Sequence, residues 1–279
     1  MSIELPPDFA QWLALREPAD VAARSTDLVD MLRAALPGGG PLVVHDLGAG
    51  TGSLARWLAP LLPGPQHWIL HDQDADLLAR ARAAVPPTAA DGAPVTVETR
   101  RGDLTRLAAA ELAAAELADA ALVSASALLD MLTAEELDDL IAACAKAGCP
   151  ALFLISVTGT VRLTPDDSLD DEIAAAFNAH QRRTANGRRL LGPDAVDACV
   201  AAFARHGVEV QLRPSPWQLG PDQAALAAQW FTGWLDAARE QDPELSTRTE
   251  EYARRRLAEA ETGRLGVMVD HVDLLALRR

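Results

Sequence analysis

The sequence predicts an α/β chain in which a mostly parallel sheet is covered by helices on both faces. Three observations carry this. From residue 42 to residue 157, short apolar runs alternate with amphipathic stretches of helical period. A glycine-rich turn, Gly48 to Gly52, joins the first apolar run to the first such stretch. At 279 residues, 49% of them hydrophobic, the chain can bury a full core.

The elements follow in order. Residues 7–36 read as one or two helices, with Phe9, Trp12, Leu13, Leu28, Met31 and Leu32 at helical spacing and Glu17-Pro18 as the expected break. Pro37-Gly-Gly-Gly-Pro41 closes that region, so 1–41 is set apart as an N-terminal helical cap. The core, 42–220, places strands at 42–46, 68–72, 95–100, 121–125 and 151–157. Helices are expected at 53–62 and 74–84, and another opens at Thr133, where Glu136 completes a capping-box signature. A helical insertion at about 160–190 then interrupts the pattern, its helix at 166–183 behind an acidic first turn. A helix at 194–206 and a strand at 208–212 follow. A second helical insertion, 221–263, carries Trp230, Phe231, Trp234 and Tyr252 and reads as a lid. Residues 264–279 supply the last strand, at 266–274.

Charge and composition remove several function classes. A net charge of −15 is wrong for nucleic acid, which needs a basic footprint, and equally wrong for anionic membrane surfaces. Cys144, Cys149 and Cys199 form no CxxC pair, so neither a disulfide framework nor a zinc site is indicated. The six histidines show no HxH or HExxH spacing, and no metal is expected. The first twenty residues lack a basic-then-apolar leader, and no run approaches a membrane span. A cytoplasmic protein acting on a small molecule is the expectation, with a homodimer left open.

The strongest local signal is VVHDLGAGTGSL at 43–54. A buried strand ends in Asp46, and Gly48, Gly50 and Gly52 let the backbone turn sharply into a helix. Glycine belongs where φ turns positive or where a ligand must touch the backbone. No Gly-Lys-Ser/Thr follows, which excludes a phosphate-cradling P-loop. HWILHD at 67–72 sets a second acid, Asp72, at the end of the next strand, while Asp74 opens a helix and reads as its N-cap. RRGDL at 100–104 places a third acid about 30 residues on.

In series these three segments resemble the class I S-adenosylmethionine-dependent methyltransferases, of the small-molecule type. The resemblance is clear over 42–157 and holds only in outline beyond. It implies a Rossmann-like, doubly wound, seven-stranded mixed sheet with its last strand antiparallel and with helical lid insertions. It also implies S-adenosylmethionine as cofactor. Asp46 would then stand near the cofactor ammonium, Gly48, Ala49 and Gly50 would offer backbone, and Asp72, followed by Gln73, would hold the ribose hydroxyls. The turn of Gly102, Asp103 and Leu104 would recognise adenine, and Ser124 or Ala125 would present a carbonyl to the methionine ammonium.

The segment LVSASALLDML at 122–132 lacks an Asn/Asp-Pro-Pro-aromatic tetrad, which sets the chain apart from methyltransferases acting on nucleobases or glutamine. Asp130 and His180 are the catalytic candidates. Each has a plainer reading, as a solvated residue before a helix cap and as a helix-surface residue. Trp230, Trp234 and Arg182 are the substrate candidates, although Trp230 and Trp234 also share one helix face as core residues would. His45, His71 and His271 read as core groups. The expected reaction is methyl transfer to an O-, N- or C-nucleophile of a small molecule. The alternatives are carboxyl methylation of a small organic acid and cofactor binding without turnover.

Overall fold

The computed structural model describes residues 8–38, 40–102 and 117–278. Two helices open the chain, α1 (Phe9–Ala23) and α2 (Thr26–Ala35). The expected break at Pro18 does not occur, because Pro18 lies inside α1. Proline removes the N–H that the carbonyl of residue 14 would accept. Ala14 and Pro18 are both exposed, which leaves the freed carbonyl on the solvent side of the helix. The chain breaks instead after Arg24, where Ser25 caps α2 by accepting from Leu28 N.

Strand and helix then alternate: β1 (Leu42–Leu47), α3 (Ser53–Leu58), β2 (Gln66–Asp72), α4 (Ala75–Ala84), β3 (Val95–Arg101), β4 (Leu122–Ser126) and α5 (Ala134–Ala147). The second half runs β5 (Ala151–Thr164), α6 (Asp170–Gln181), a small hairpin of β6 (Thr184–Ala185) and β7 (Arg188–Arg189), and α7 (Ala195–Arg205). It ends with β8 (Glu209–Pro214), β9 (Trp217–Leu219), α8 (Ala224–Gln241), α9 (Leu245–Arg248), α10 (Glu250–Glu261) and β10 (Gly266–Leu277). Local capping fixes two of the starts. Asp74 accepts from Asp76 N and Leu77 N at α4, and Thr133 with Glu136 forms a complete capping box at α5.

The main sheet runs β3-β2-β1-β4-β5-β10-β8, with β9 pairing to the far part of β10. The pairs from β3 to β5 are parallel, and β10 is antiparallel to both β5 and β8. Strands buried on both faces split their side chains between two cores. Val44, Trp68, Leu122 and Leu154 pack with Leu28, Leu32, Leu54, Leu58 and Leu78 on one face. Val123, Phe153 and Leu274 pack with Leu137, Ile141, Val196, Cys199 and Phe203 on the other. Each fully buried side chain of this size stabilises the fold by about 1.5–3 kcal/mol.

β5 is twice the expected length. Beyond Val157 it continues to Thr164, paired with β10 from Val269 back to Gly266. This two-stranded extension, joined by β9, carries a third core of Leu163, Ile173, Trp217, Phe231, Trp234, Tyr252 and Val267. The helices of 221–263 pack there. Buried polar bonds tie them to α6: Arg256, 1% exposed, reaches Asp170 Oδ2 at 2.7 Å, and Tyr252 Oη donates to Asp170 Oδ1 at 2.6 Å. No helix among the described residues is long and apolar enough to cross a membrane.

Candidate functional site

The site is built where β1, β2 and β4 end, at the point where the strand order reverses. Asp46, 1% exposed, stands opposite Ser124 in the β1–β4 register, and Ser124 Oγ donates to its Oδ1 at 3.1 Å. Its second oxygen, Oδ2, is buried with no partner. Burial pushes the Asp46 carboxyl up to about 7, against the pull of Ser124 and Arg24.

The glycine loop is tied to the end of β2. Ala49 N donates to His71 O and Gly50 N to Asp72 Oδ2, both at 2.9 Å. Asp72 Oδ1 takes Asp74 N at 3.0 Å, and burial raises this carboxyl as well. Gly50 lies at φ +53, and a Cβ there would meet Leu13 Cδ1 at 3.1 Å. Gly52 lies at φ +80, and a Cβ would meet Ala81 Cβ at 3.0 Å. The loop therefore needs glycine both for its turn and for the close approach of α1 and α4. Behind it His45 Nδ1 and His71 Nε2 share a hydrogen bond of 3.0 Å, as expected for core histidines.

A cavity of about 240 Å³ opens against this loop. Asp46, Gly48, Ala49, Gly50, Asp72 and Gln73 line it, with Ser126, Ala127 and Leu128 from the end of β4. Its roof is α1, through Phe9, Leu13, Arg16 and Asp20, together with Arg24. Arg16 Nε and Nη2 reach Asp20 Oδ2 and Oδ1 at 3.0 and 3.1 Å, and the guanidinium lies 4.9 Å over the Trp217 ring. Trp217 Nε1 donates to the same Asp20 at 3.0 Å. Arg24, 5% exposed, donates to Ser53 O, Ser53 Oγ and Ser126 Oγ at 3.2–3.4 Å.

Sequence reading expects the N-terminal helical segment over the pocket, and α1 lines it, but it names none of the charged residues there. Their signal is REPADVAAR, in which Arg16, Asp20 and Arg24 recur every four residues and so fall on one helical face. Charges at that spacing ordinarily mark a solvated face. Here they point inward.

The other expected residues are placed as follows. Ser124 and Ala125 are buried beneath the cavity, and the next residues along, Ser126 and Ala127, reach it. Gly102 N donates to Asp72 O at 2.9 Å, which ties the adenine-turn segment to β2. Asp103 and Leu104 lie outside the described residues. Asp130 sits in the single turn Leu129–Met131, beside the lining residues Leu128 and Met131 but not itself among them. Burial pushes its carboxyl up to about 6, partly offset by Arg16.

Four residues expected at the pocket do not line this cavity. His180 Nε2 bonds Glu240 at 3.0 Å, joining α6 to α8, and is not among the lining residues. Arg182 Nε and Nη2 each bond Asp194 at 2.6 Å, away from this cavity. Trp230 and Trp234 stack at 5.4 Å, Trp234 inside the third core and Trp230 packed against it. The inserted helices pack on the β5–β10 extension instead, where they form a core of their own.

The strand order with its one antiparallel strand, and the glycine loop at the switch point, make this a doubly wound, Rossmann-like α/β fold. No protein-family model matches the sequence, and no curated protein matches it. Solved structures similar to the chain include an S-adenosylmethionine-dependent methyltransferase from Geobacter sulfurreducens in complex with S-adenosyl-L-homocysteine, at 15% identity and TM-score 0.45 over 100% of both chains. An O-methyltransferase family protein from Burkholderia thailandensis matches at 18% identity and TM-score 0.47 over 74% of this chain. The match spans 55% of the Burkholderia protein. A cyclopropane synthase from Mycobacterium tuberculosis matches at 12% identity and TM-score 0.47, over 98% of this chain and 94% of that one.

Proposed function

We propose that this chain binds S-adenosylmethionine at the cavity over the glycine loop and transfers its methyl group to a small-molecule acceptor. The observation that carries the reading is Asp46 Oδ2, a buried carboxylate oxygen without a partner in the wall of that cavity. A buried acceptor left unpaired is costly, and a cationic donor removes the cost. The cofactor's ammonium is such a donor. Asp72, in the same wall, accepts from the backbone of Gly50, Gln73 and Asp74 and keeps acceptor capacity for a ribose diol.

When bound, the cofactor supplies a methyl group on a positively charged sulfur. The residues of the chain align and dry the site, the contributions such a transfer needs most. The Gly48–Gly50 backbone approaches closely, and Leu13 on α1 shuts the loop from above. Phe9, Leu128, Met131 and Leu132 make the remaining wall apolar, suited to a small and partly apolar acceptor. Asp130, titrating near 6, would take the proton that a hydroxyl or amine acceptor loses.

Isothermal calorimetry with S-adenosylmethionine and S-adenosylhomocysteine tests the reading. Binding at micromolar affinity or tighter is expected. Folded protein that gives no heat with either compound refutes it.

A further inference from the structure

Two arginines among the described residues are buried, and they differ in kind. Arg256, 1% exposed, is ion-paired to Asp170 and Glu259. Arg24, 5% exposed, forms no ion pair with any carboxylate among the described residues. The other arginines beside it do: Arg16 pairs with Asp20, Arg56 with Glu17, and Arg188, in the same cavity wall, with Glu136. Arg24 has only three long bonds to neutral oxygens, and its Nε has no partner. It stacks on the Trp57 ring at 5.4 Å, and Asp20, Asp46 and Asp273 act on its charge without forming an ion pair with it. A guanidinium stays protonated even when buried, so this is a desolvated cation in a cavity wall.

The acids around it are occupied. Asp20 is held by Arg16 and Trp217. Asp273, fully buried, accepts Ile155 N and Ser25 N at 2.7 Å each, which pins the backbone just after Arg24. Asp46 has one oxygen on Ser124 and the other free. The cavity wall therefore holds one guanidinium and one carboxyl, each with a polar atom that has no hydrogen-bond partner. Arg24 is anchored on Ser53, the first residue of α3, and on Ser126 at the end of β4. Asp46 is anchored on Ser124, two residues earlier in β4. A ligand that answers both groups carries a carboxylate and an ammonium close together, which is the chemistry of an α-amino acid.

We propose that Arg24 clamps the α-carboxylate of the cofactor while Asp46 takes its α-ammonium, so that the pair reads the amino-acid end as a zwitterion. The proposal rests on the cofactor reading above and adds a residue that the glycine-loop motif does not contain. A guanidinium accepts a carboxylate through two parallel N–H bonds, and Arg24 Nε is one unused donor for that fork.

The test compares two ligands on the unaltered protein and on Arg24→Gln by calorimetry: S-adenosylmethionine and its decarboxylated form, which keeps the ammonium and the sulfonium. Unaltered protein should bind the decarboxylated compound at least about tenfold more weakly. In Arg24→Gln the affinity for S-adenosylmethionine should fall by a similar factor and the preference should shrink to within about twofold. Equal binding of the two compounds by unaltered protein overturns the clamp whether or not the variant folds. A preference that survives in folded Arg24→Gln overturns it too, by assigning the carboxylate to another group. Failure of unaltered protein to bind either compound is a different result, and it overturns the cofactor reading and the clamp together.

Discussion

Ligand binding should expel a proton from Asp46. In the free protein burial holds this carboxyl up to about 7, so near pH 6 about nine molecules in ten carry the proton. A cationic ligand on Oδ2 favours the carboxylate and drives the proton off. The release should be about 0.9 proton per ligand near pH 6 and about half a proton near pH 7. Affinity should accordingly rise close to tenfold per unit as pH climbs toward 7. The sign for stability runs the other way. The folded pKa lies above the unfolded value, so the free protein is favoured by acid at this site and loses up to about 1.4 kcal/mol per pH unit between about 4 and 7. Calorimetry near pH 6 in buffers of differing ionisation enthalpy counts the protons directly, and Asp46→Asn should bring the count near zero. Binding heats that do not depend on the buffer, or a count unchanged in Asp46→Asn, would refute the reasoning.

Asp72→Ala removes the acceptor of Gly50 N and Asp74 N, charge-assisted bonds worth about 1.5–3 kcal/mol each. Affinity for S-adenosylhomocysteine should fall at least about tenfold with the circular dichroism intact, whereas Asp74→Ala should cost only about 1 kcal/mol of cap energy in urea unfolding; the reverse pattern would contradict the placement. Trp234→Ala should cost about 3–5 kcal/mol of stability and leave cofactor affinity within about twofold, and a binding loss without a stability loss would return the inserted helices to the site. Asp130→Asn should abolish the rise in turnover with pH through about 6 and leave cofactor affinity unchanged, as read from single-turnover methyl transfer across pH.

What can be read from the sequence is local. The glycine turn, the acid at the end of β2, the Asp74 cap and the Thr133–Glu136 box each declare themselves within a few residues, because glycine torsions and helix capping are short-range physics. The length of β5 is hidden because its second half exists only through pairing with β10, more than a hundred residues away. Trp230 and Trp234 read toward a pocket because a pocket wall and a core wall demand the same apolar face. The partner elements that decide between them, α6 and the β5–β10 extension, are remote in sequence. Arg16, Asp20 and Arg24 escape notice for the opposite reason. Their spacing is that of a solvated charged stripe, and only the packing of α1 over the glycine loop turns it inward. Pro18 misleads as well: it lies inside α1, where the sequence reading expects a break.

The most direct test of the central claim is a crystal structure of the protein grown with saturating S-adenosylhomocysteine. The account predicts the ligand in the cavity beneath Leu13, with its ammonium on Asp46 Oδ2 and its ribose hydroxyls at Asp72. Density for the ligand elsewhere, or a cavity without it and Asp46 Oδ2 still unpartnered, would contradict the account.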